Sequence, residues 1–387
     1  MCRLQRHRRV PVLKLPFIPF LALDKGSIAQ VTGRMETLGP HWHRHCTGHR
    51  CIMKIYLFET EKWEKETFEP LEEQHELVCV REPLDEDNAD EFKDAEIISV
   101  FVHSAVSDAV LGKLPQLKAI ATRSTGFDHI DVKTCSGRGI EVSYVPTYGE
   151  NTVASHTIGL LLNIAHRISD GVDRTRKGDF SNKGLRGFDV MGKTIGVIGA
   201  SGSIGRCVVQ MAGGIGMKVL GQDVKPDEAF AEEAGFRYVD MESLCRESDV
   251  VTVHVPFNEK TKNLIDHDVF SKMKKGVIFL NTARGGIVNE RDLLRALSED
   301  RIAAAGLDVI SAEPVIREEA ELIRIVIEDE ESWGDLLANE TLLRMRNVYV
   351  TPHNAFNTNE AVQRILDVTL ENIEGFIRNE PVNTVES

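Results

Sequence analysis

From residue 53 onward, short apolar runs rich in β-branched residues alternate with polar-marked stretches of helix length. The runs fall at 53–59, 76–80, 97–102, 117–121, 140–145, 194–198, 218–220, 250–255, 277–280, 303–307 and 348–350. Their cores are continuously apolar rather than alternating, which is the pattern of strands in parallel sheets covered by helices on both faces. So many strands exceed one ordinary sheet. The pattern therefore predicts an α/β protein with two doubly wound parallel sheets, and the long apolar stretch 153–168 predicts a helix at their junction. Residues 314–346, which contain the acid run 328–331, break the alternation and read as a solvated insertion.

Upstream of residue 53 neither helical nor strand periodicity persists. Basic clusters alternate with Pro11, Pro16 and Pro19 and run into His41, His43, His45, Cys46, His49 and Cys51. Lys14 and the prolines interrupt the apolar stretch that a secretion signal needs. The His/Cys cluster has no spacing of a tetrahedral metal site, so no metal is expected. Residues 1–52 are expected to be a disordered basic extension, irrelevant to catalysis.

Composition narrows the class. A chain of 387 residues with 42% hydrophobic and 27% charged residues has the balance of a folded protein of about two domains. The apolar segments are broken by Asn163, His166 or glycines before the roughly 18 to 20 residues of a membrane helix. The net charge is −14, yet residues 1–52 hold nine basic against two acidic residues, so the remainder carries −21. Such a body repels nucleic acid and anionic lipid, and points to a small ligand in a locally positive pocket. Seven cysteines without a CxxC pair argue for a reducing, cytoplasmic setting.

The run 194–198 ends in a glycine turn, Gly199, Gly202 and Gly205, followed by a helix-length segment and a second strand ending at Asp223. Glycines let backbone approach a pyrophosphate, whose charge is held by free N–H groups at a helix start. Asp223, 18 positions past the last glycine, can accept from ribose hydroxyls and would repel a 2′-phosphate, which favours NAD. Lys225, just beyond it, could steady a 2′-phosphate and leaves NADP open. The spacing is GxxGxxG, one residue longer than GxGxxG, and the extra residue is expected to enlarge the loop and loosen its phosphate contacts.

Three later segments follow strands, where open α/β sheets place ligands: NTARGG (281–286), GLDVISAEP (306–314) and TPHNAF (351–356). Arg284 offers a fork that can grip a carboxylate bidentately, against the competing reading of a surface ion pair. His353 alone reads as a structural histidine, and Glu313 alone as a loop acid. As a pair they suit carbonyl reduction, because a carboxylate beside imidazole orients the ring and raises its pKa, giving a proton donor near neutrality.

These segments, with RSTGFDHID (123–131), VPTYGENTVA (145–154) and VHVP (253–256), resemble the D-isomer-specific 2-hydroxyacid dehydrogenases, most closely their D-lactate dehydrogenase branch, over residues 53–387. The resemblance implies a flavodoxin-like substrate domain, 53–150 plus 355–387, and a Rossmann NAD domain, 151–354, with a cleft between them. It implies Arg284 on the substrate carboxylate, His353 as acid and base, Glu313 as its partner, and Asp308 close to them and to the nicotinamide. Thr125 and Gly126 would form a second carboxylate cradle, Tyr148 a substrate-side group, and Phe356 a wall against a small methyl group. Ser203, Ile204, Asp223, Val255, Pro256, Thr282 and Ala283 match cofactor-contacting positions, and a homodimer through the nucleotide domains is implied.

Two departures stand out. Ser155 replaces the usual Glu, and the stretch from Glu313 to His353 is longer and more acidic than usual. Only 34 residues follow His353, too few for a regulatory extension. The expected function is NADH-dependent reduction of a short 2-oxo acid, pyruvate-like, to the D-2-hydroxy acid. The alternatives are a glyoxylate or hydroxypyruvate reductase, and a non-enzymatic NAD(H)-sensing protein resembling the C-terminal-binding corepressors.

Overall fold

The structure, a computed structural model, describes residues 52–311 and 330–385. Among them, β1 (Lys54–Leu57), β2 (Glu76–Cys79), β3 (Ile97–Val100), β4 (Ala119–Thr122) and β5 (Glu141–Ser143) form one sheet in the order β2-β1-β3-β4-β5. A second sheet contains β6 (Thr194–Ile198), β7 (Lys218–Gln222), β8 (Arg237–Tyr238), β9 (Val250–Val253), β10 (Val277–Asn281), β11 (Ile302–Leu307) and β12 (Val348–Val350). Its order is β12-β11-β10-β9-β6-β7-β8. Every strand pair in both sheets is parallel.

The helices are α1 (Lys65–Glu72), α2 (Asp108–Lys113), α3 (Val132–Arg138), α4 (Glu150–His166), α5 (Ile168–Arg176), α6 (Ser203–Gly214), α7 (Glu228–Ala234), α8 (Met241–Glu247), α9 (His267–Lys272), α10 (Glu290–Ser298), α11 (Glu330–Arg344) and α12 (Asn359–Ile377). Several start where the sequence supplies a cap: Asp131, Asp227, Asp240, Asp266 and Thr358 each accept a backbone N–H three residues on. In contrast, α6 begins at Gly202 with no side-chain cap, leaving its first N–H groups open.

Helices cover both faces of each sheet. On the five-stranded sheet, Ile55, Leu57 and Ile97 pack under Phe68 of α1 and Val362, Leu366 and Ile373 of α12. The opposite face buries Ile98 and Ile120 against Leu111 and Cys135. On the larger sheet, Val251 and Phe279 meet Leu293 and Leu297 of α10, while Val197 and Ile278 meet Leu161 of α4 and Val208 of α6. Each such Leu, Ile or Phe contributes about 1.5–3 kcal/mol of transfer free energy. The chain thus leaves the first sheet after β5, builds the second, and returns through α12 to cover the first.

Three details differ from the sequence pattern. The helix predicted over 153–168 begins earlier, at Glu150, and stops at Arg167, whose backbone turns left-handed with φ 54°. There Asn163 Oδ1 accepts from both the N–H and the hydroxyl of Ser169, which starts α5 on a new axis. Within the predicted insertion, Glu330–Arg344 is helical, because Ala338 and Leu342, four apart, are buried on one face; residues 312–329 lie outside the described residues. The two-residue strand β8 was too short to leave a periodic signal. No described helix is long and apolar enough to cross a membrane.

Candidate active site

Strand order reverses between β6 and β9 in the larger sheet, and between β1 and β3 in the smaller. Doubly wound sheets open a crevice beside the carboxyl ends of strands at such points. A cavity of about 380 Å³ lies at the β6/β9 point of the larger sheet, lined by loops that follow β6, β9, β10, β11 and β12 and, from the smaller sheet, by those that follow β4 and β5. Residues far apart in sequence therefore meet because each sits just past the end of a strand.

The glycine turn closes one end. Gly199 has φ 87°, and a Cβ there would overlap the carbonyl of His254 on the neighbouring strand end. Only glycine lets these two loops close so tightly. The extra residue is absorbed in a turn closed by Gly202 N–H to Gly199 O at 3.2 Å. Ser201 is tied on three sides: its N–H to Asp223 Oδ2 at 2.9 Å, its carbonyl to Arg206 Nε at 2.9 Å, and its hydroxyl to Tyr238 at 2.8 Å. Asp223 Oδ1 also accepts Lys225 N–H at 2.9 Å, so the carboxylate is held beside the turn.

The uncapped start of α6, the glycine turn and the fixed Asp223 fit a dinucleotide: open N–H groups for its pyrophosphate and a carboxylate for its ribose. Ser203, Ile204, Val255, Pro256, Thr282, Ala283 and Asp308 line the cavity, while Gly199, Gly202, Gly205 and Asp223 are not in its lining.

Arg284 follows β10 on a short turn clamped by buried Asn281. The Asn281 amide donates to Arg284 O at 2.9 Å, and its oxygen accepts Ala283 N–H at 3.0 Å. Thr282 meets Thr157 of α4 at 2.8 Å, which fixes the turn to the helix. Opposite stands the loop after β4, held by Ser124 Oγ to Gly126 O at 2.6 Å and Thr125 Oγ1 to Val145 O at 2.7 Å. With its hydroxyl committed, Thr125 presents main-chain N–H, and neither it nor Gly126 donates to another described residue. A Cβ on Gly126 would overlap Arg284 Nη2, so the guanidinium reaches over this loop only because the residue is glycine.

His353 sits past β12 with φ 51°, a strained conformation for a residue with a side chain. Buried Asp308 enforces it. Its carbonyl accepts His353 N–H at 2.9 Å, and its carboxylate accepts Asn354 N–H at 2.8 Å, Ala355 N–H at 2.9 Å and the Thr351 hydroxyl. Burial pushes the Asp308 carboxyl upward, but the hydrogen bonds from His156, Thr351, Asn354 and Ala355 outweigh it and hold it below the usual carboxylate range. Asp308 is thus an anionic clamp on the histidine loop. Glu313 lies outside the described residues, as do the histidines of the N-terminal extension.

Tyr148 and Phe356 also line the cavity. Burial raises the Tyr148 phenol, partly opposed by nearby Arg284, so it stays protonated. Phe356 meets Phe101 edge to face at 5.3 Å. Burial pushes His129 down to about 4 and His254 to about 3, so neither is an acid or base near neutrality. Among the described lining residues Arg284 is the sole Lys or Arg, against Asp128, Glu150 and Asp308.

Sequence reasoning missed His156, Asp128 and Phe101. His156 Nε2 lies 3.1 Å from Thr351 Oγ1 and 3.4 Å from Asp308 Oδ1, and its only signal was a histidine just ahead of the apolar stretch of α4. Its neighbour Ser155, the departure from the usual Glu, turns its hydroxyl back to Thr152 O at 2.8 Å within α4.

Residues 158–355 match the family model for the D-isomer specific 2-hydroxyacid dehydrogenase NAD binding domain. The chain is 33% identical to D-lactate dehydrogenase of Escherichia coli over 335 residues, 85% of this chain and 98% of that one. It is 36% identical to glycerate dehydrogenase of Methylorubrum extorquens, over 72% of this chain and 81% of the other. The structure of Aquifex aeolicus D-lactate dehydrogenase complexed with NAD and lactic acid superposes with a TM-score of 0.73 at 32% identity, covering 84% of this chain and 96% of that one. A matching family model, relatives spanning nearly their full lengths and a site built for a dinucleotide agree: this chain belongs to the D-isomer specific 2-hydroxyacid dehydrogenases, NAD-dependent oxidoreductases.

Proposed function

We propose that the protein reduces a short 2-oxo acid of the pyruvate class to the D-2-hydroxy acid. The observation that carries this reading is the cavity itself, which gathers one guanidinium, two open main-chain N–H groups, an apolar wall and two histidines, of which His254 is held neutral by burial and His353 is left to move a proton. The glycine turn and the start of α6 would hold NADH, which when bound would supply the hydride to the carbonyl carbon. Arg284 grips the carboxylate while the N–H groups of Thr125 and Gly126 hold one of its oxygens. That fixes the ketone near His353, which donates a proton to the ketone oxygen as it gains charge, and takes the proton back in the reverse direction. Asp308 holds the histidine loop in register, and Glu313 is the partner we assign to the ring from the sequence motif.

Phe356, backed by Phe101, faces the substrate side chain and favours a methyl group over a hydroxylated one, because a buried hydroxyl would lack a partner there. The chain then acts through two domains, 53–150 with 355–387 and 151–354, that close on the ligand. We further read it as a cytoplasmic homodimer. Cys79, Cys135, Cys207 and Cys245 are unpaired thiols, and exposed Ile168, Val172 and Phe180 of the nucleotide half offer an apolar contact.

Steady-state NADH oxidation with pyruvate, 2-oxoisocaproate, glyoxylate and hydroxypyruvate, repeated with NADPH, tests the assignment. Pyruvate with NADH should have the highest kcat/KM, and His353→Ala should lower it by orders of magnitude. Equal rates in the wild type and His353→Ala would remove the proton donor. Preference for hydroxypyruvate would move the protein to the sibling reductases, and NADH binding without turnover of any acid would favour the sensing reading.

A further inference from the structure

Arg284 is held from across the cleft by a residue the proposed chemistry does not use. Its Nε lies 3.4 Å from Oδ2 of Asp128, in the loop after β4, and its Nη1 donates to Ala283 O at 2.8 Å. The ion pair joins the end of the smaller sheet to the end of the larger one. A guanidinium presents its N–H groups in one plane, on edges that can each be occupied separately. Asp128 takes the Nε edge and Ala283 O takes Nη1 on its side. The outer Nη1 and Nη2 edge, which passes over Gly126, has no described partner and can receive a carboxylate in two parallel hydrogen bonds.

We propose that Asp128 is the positioning residue of the substrate-binding arginine, holding its Nε edge so that the outer fork faces the 2-oxo acid carboxylate. This rests on the reading of Arg284 given above. The pair is partly exposed, with side chains 35% and 52% accessible, so it adds little to stability. Its effect lies in orientation. Without Asp128 the guanidinium can rotate about its long side chain, and the fork must be ordered again each time substrate binds. Uniform loss of carboxylate binding raises KM and leaves kcat nearly unchanged.

The test measures pyruvate KM and kcat, together with the Kd of oxamate, a non-reacting isostere of pyruvate, on the enzyme–NADH complex by NADH fluorescence. Asp128→Ala should raise both KM and the oxamate Kd about tenfold, with kcat changed less than about threefold and NADH Kd unaltered. Asp128→Asn, whose amide oxygen still accepts from Nε, should restore most of the affinity. A fall in KM for Asp128→Ala would mean that the carboxylate competes with substrate, and would overturn the proposal. So would unchanged constants, or a loss of kcat at constant KM. A wild type that binds none of the acids removes the proposed function and this inference with it; a wild type that binds them as well as Asp128→Ala removes only this inference.

Discussion

At the scale of single residues, the site depends on charges whose partners come from other strands. Asp308 accepts from Thr351, Asn354 and Ala355, and this holds His353 in its left-handed backbone. Asp308→Asn keeps the shape but leaves one acceptor oxygen, so an amide N–H faces a main-chain donor in a buried pocket. The expected loss is about 1–3 kcal/mol of stability, read by urea unfolding, with a fall in kcat larger than any rise in NADH Kd. Gly126→Ala places a methyl group against Arg284 Nη2; pyruvate KM should rise, with the thermal midpoint little changed, since the clash is with the end of a flexible side chain. Arg284 and His353, which line the cavity, stood out in the sequence as unusual chemistry after strands. Asp128 and His156 were not, because an aspartate in a loop and a histidine in a helix gain meaning only from what stands opposite them.

At the scale of elements, the decisive contact is between the β6–α6 turn and the end of β9. Gly199 lies under the His254 carbonyl, and the N–H groups that start α6 are left open. In Gly199→Ala the added methyl meets backbone, which cannot swing away, in a left-handed conformation that already disfavours a side chain. NADH Kd, followed by fluorescence, should rise about tenfold or more, which is ~1.4 kcal/mol; unchanged affinity would mean that the two loops do not shape the dinucleotide site. The glycine motif itself was readable. How its extra residue is accommodated was not, since Ser201 is bound by Asp223, Arg206 and Tyr238, residues that follow it by up to 37 positions.

At the scale of the molecule, each half holds a neutral histidine: half-buried His129 in the β4 loop and buried His254 beside β9, with desolvation depressing them to about 4 and about 3. In the unfolded chain both should take up protons near the ordinary pKa of about 6.5. The folded state therefore binds fewer protons below that pH. Their contribution is fully present above about pH 6.5 and is lost as pH falls toward the folded values, at roughly 1.4 kcal/mol per pH unit for each histidine. Thermal midpoints should be flat from pH 8 to 7 and fall from pH 6.5 to 5. His254→Gln should flatten part of that slope; an identical slope in the variant would remove the assignment.

The amino-acid order alone determined the class of fold, the number of strands to within the two-residue β8, the dinucleotide turn and the family, because these follow from local patterns: continuous apolar runs, glycines at a strand end and short motifs just past strand ends. Tertiary structure decided which loops share one cavity, how the glycine turn is locked, why His353 is bent left-handed and which carboxylate faces Arg284. Those outcomes depend on strand order, and strand order is set by the packing of helices on both faces of each sheet, an interaction between segments that no single segment encodes.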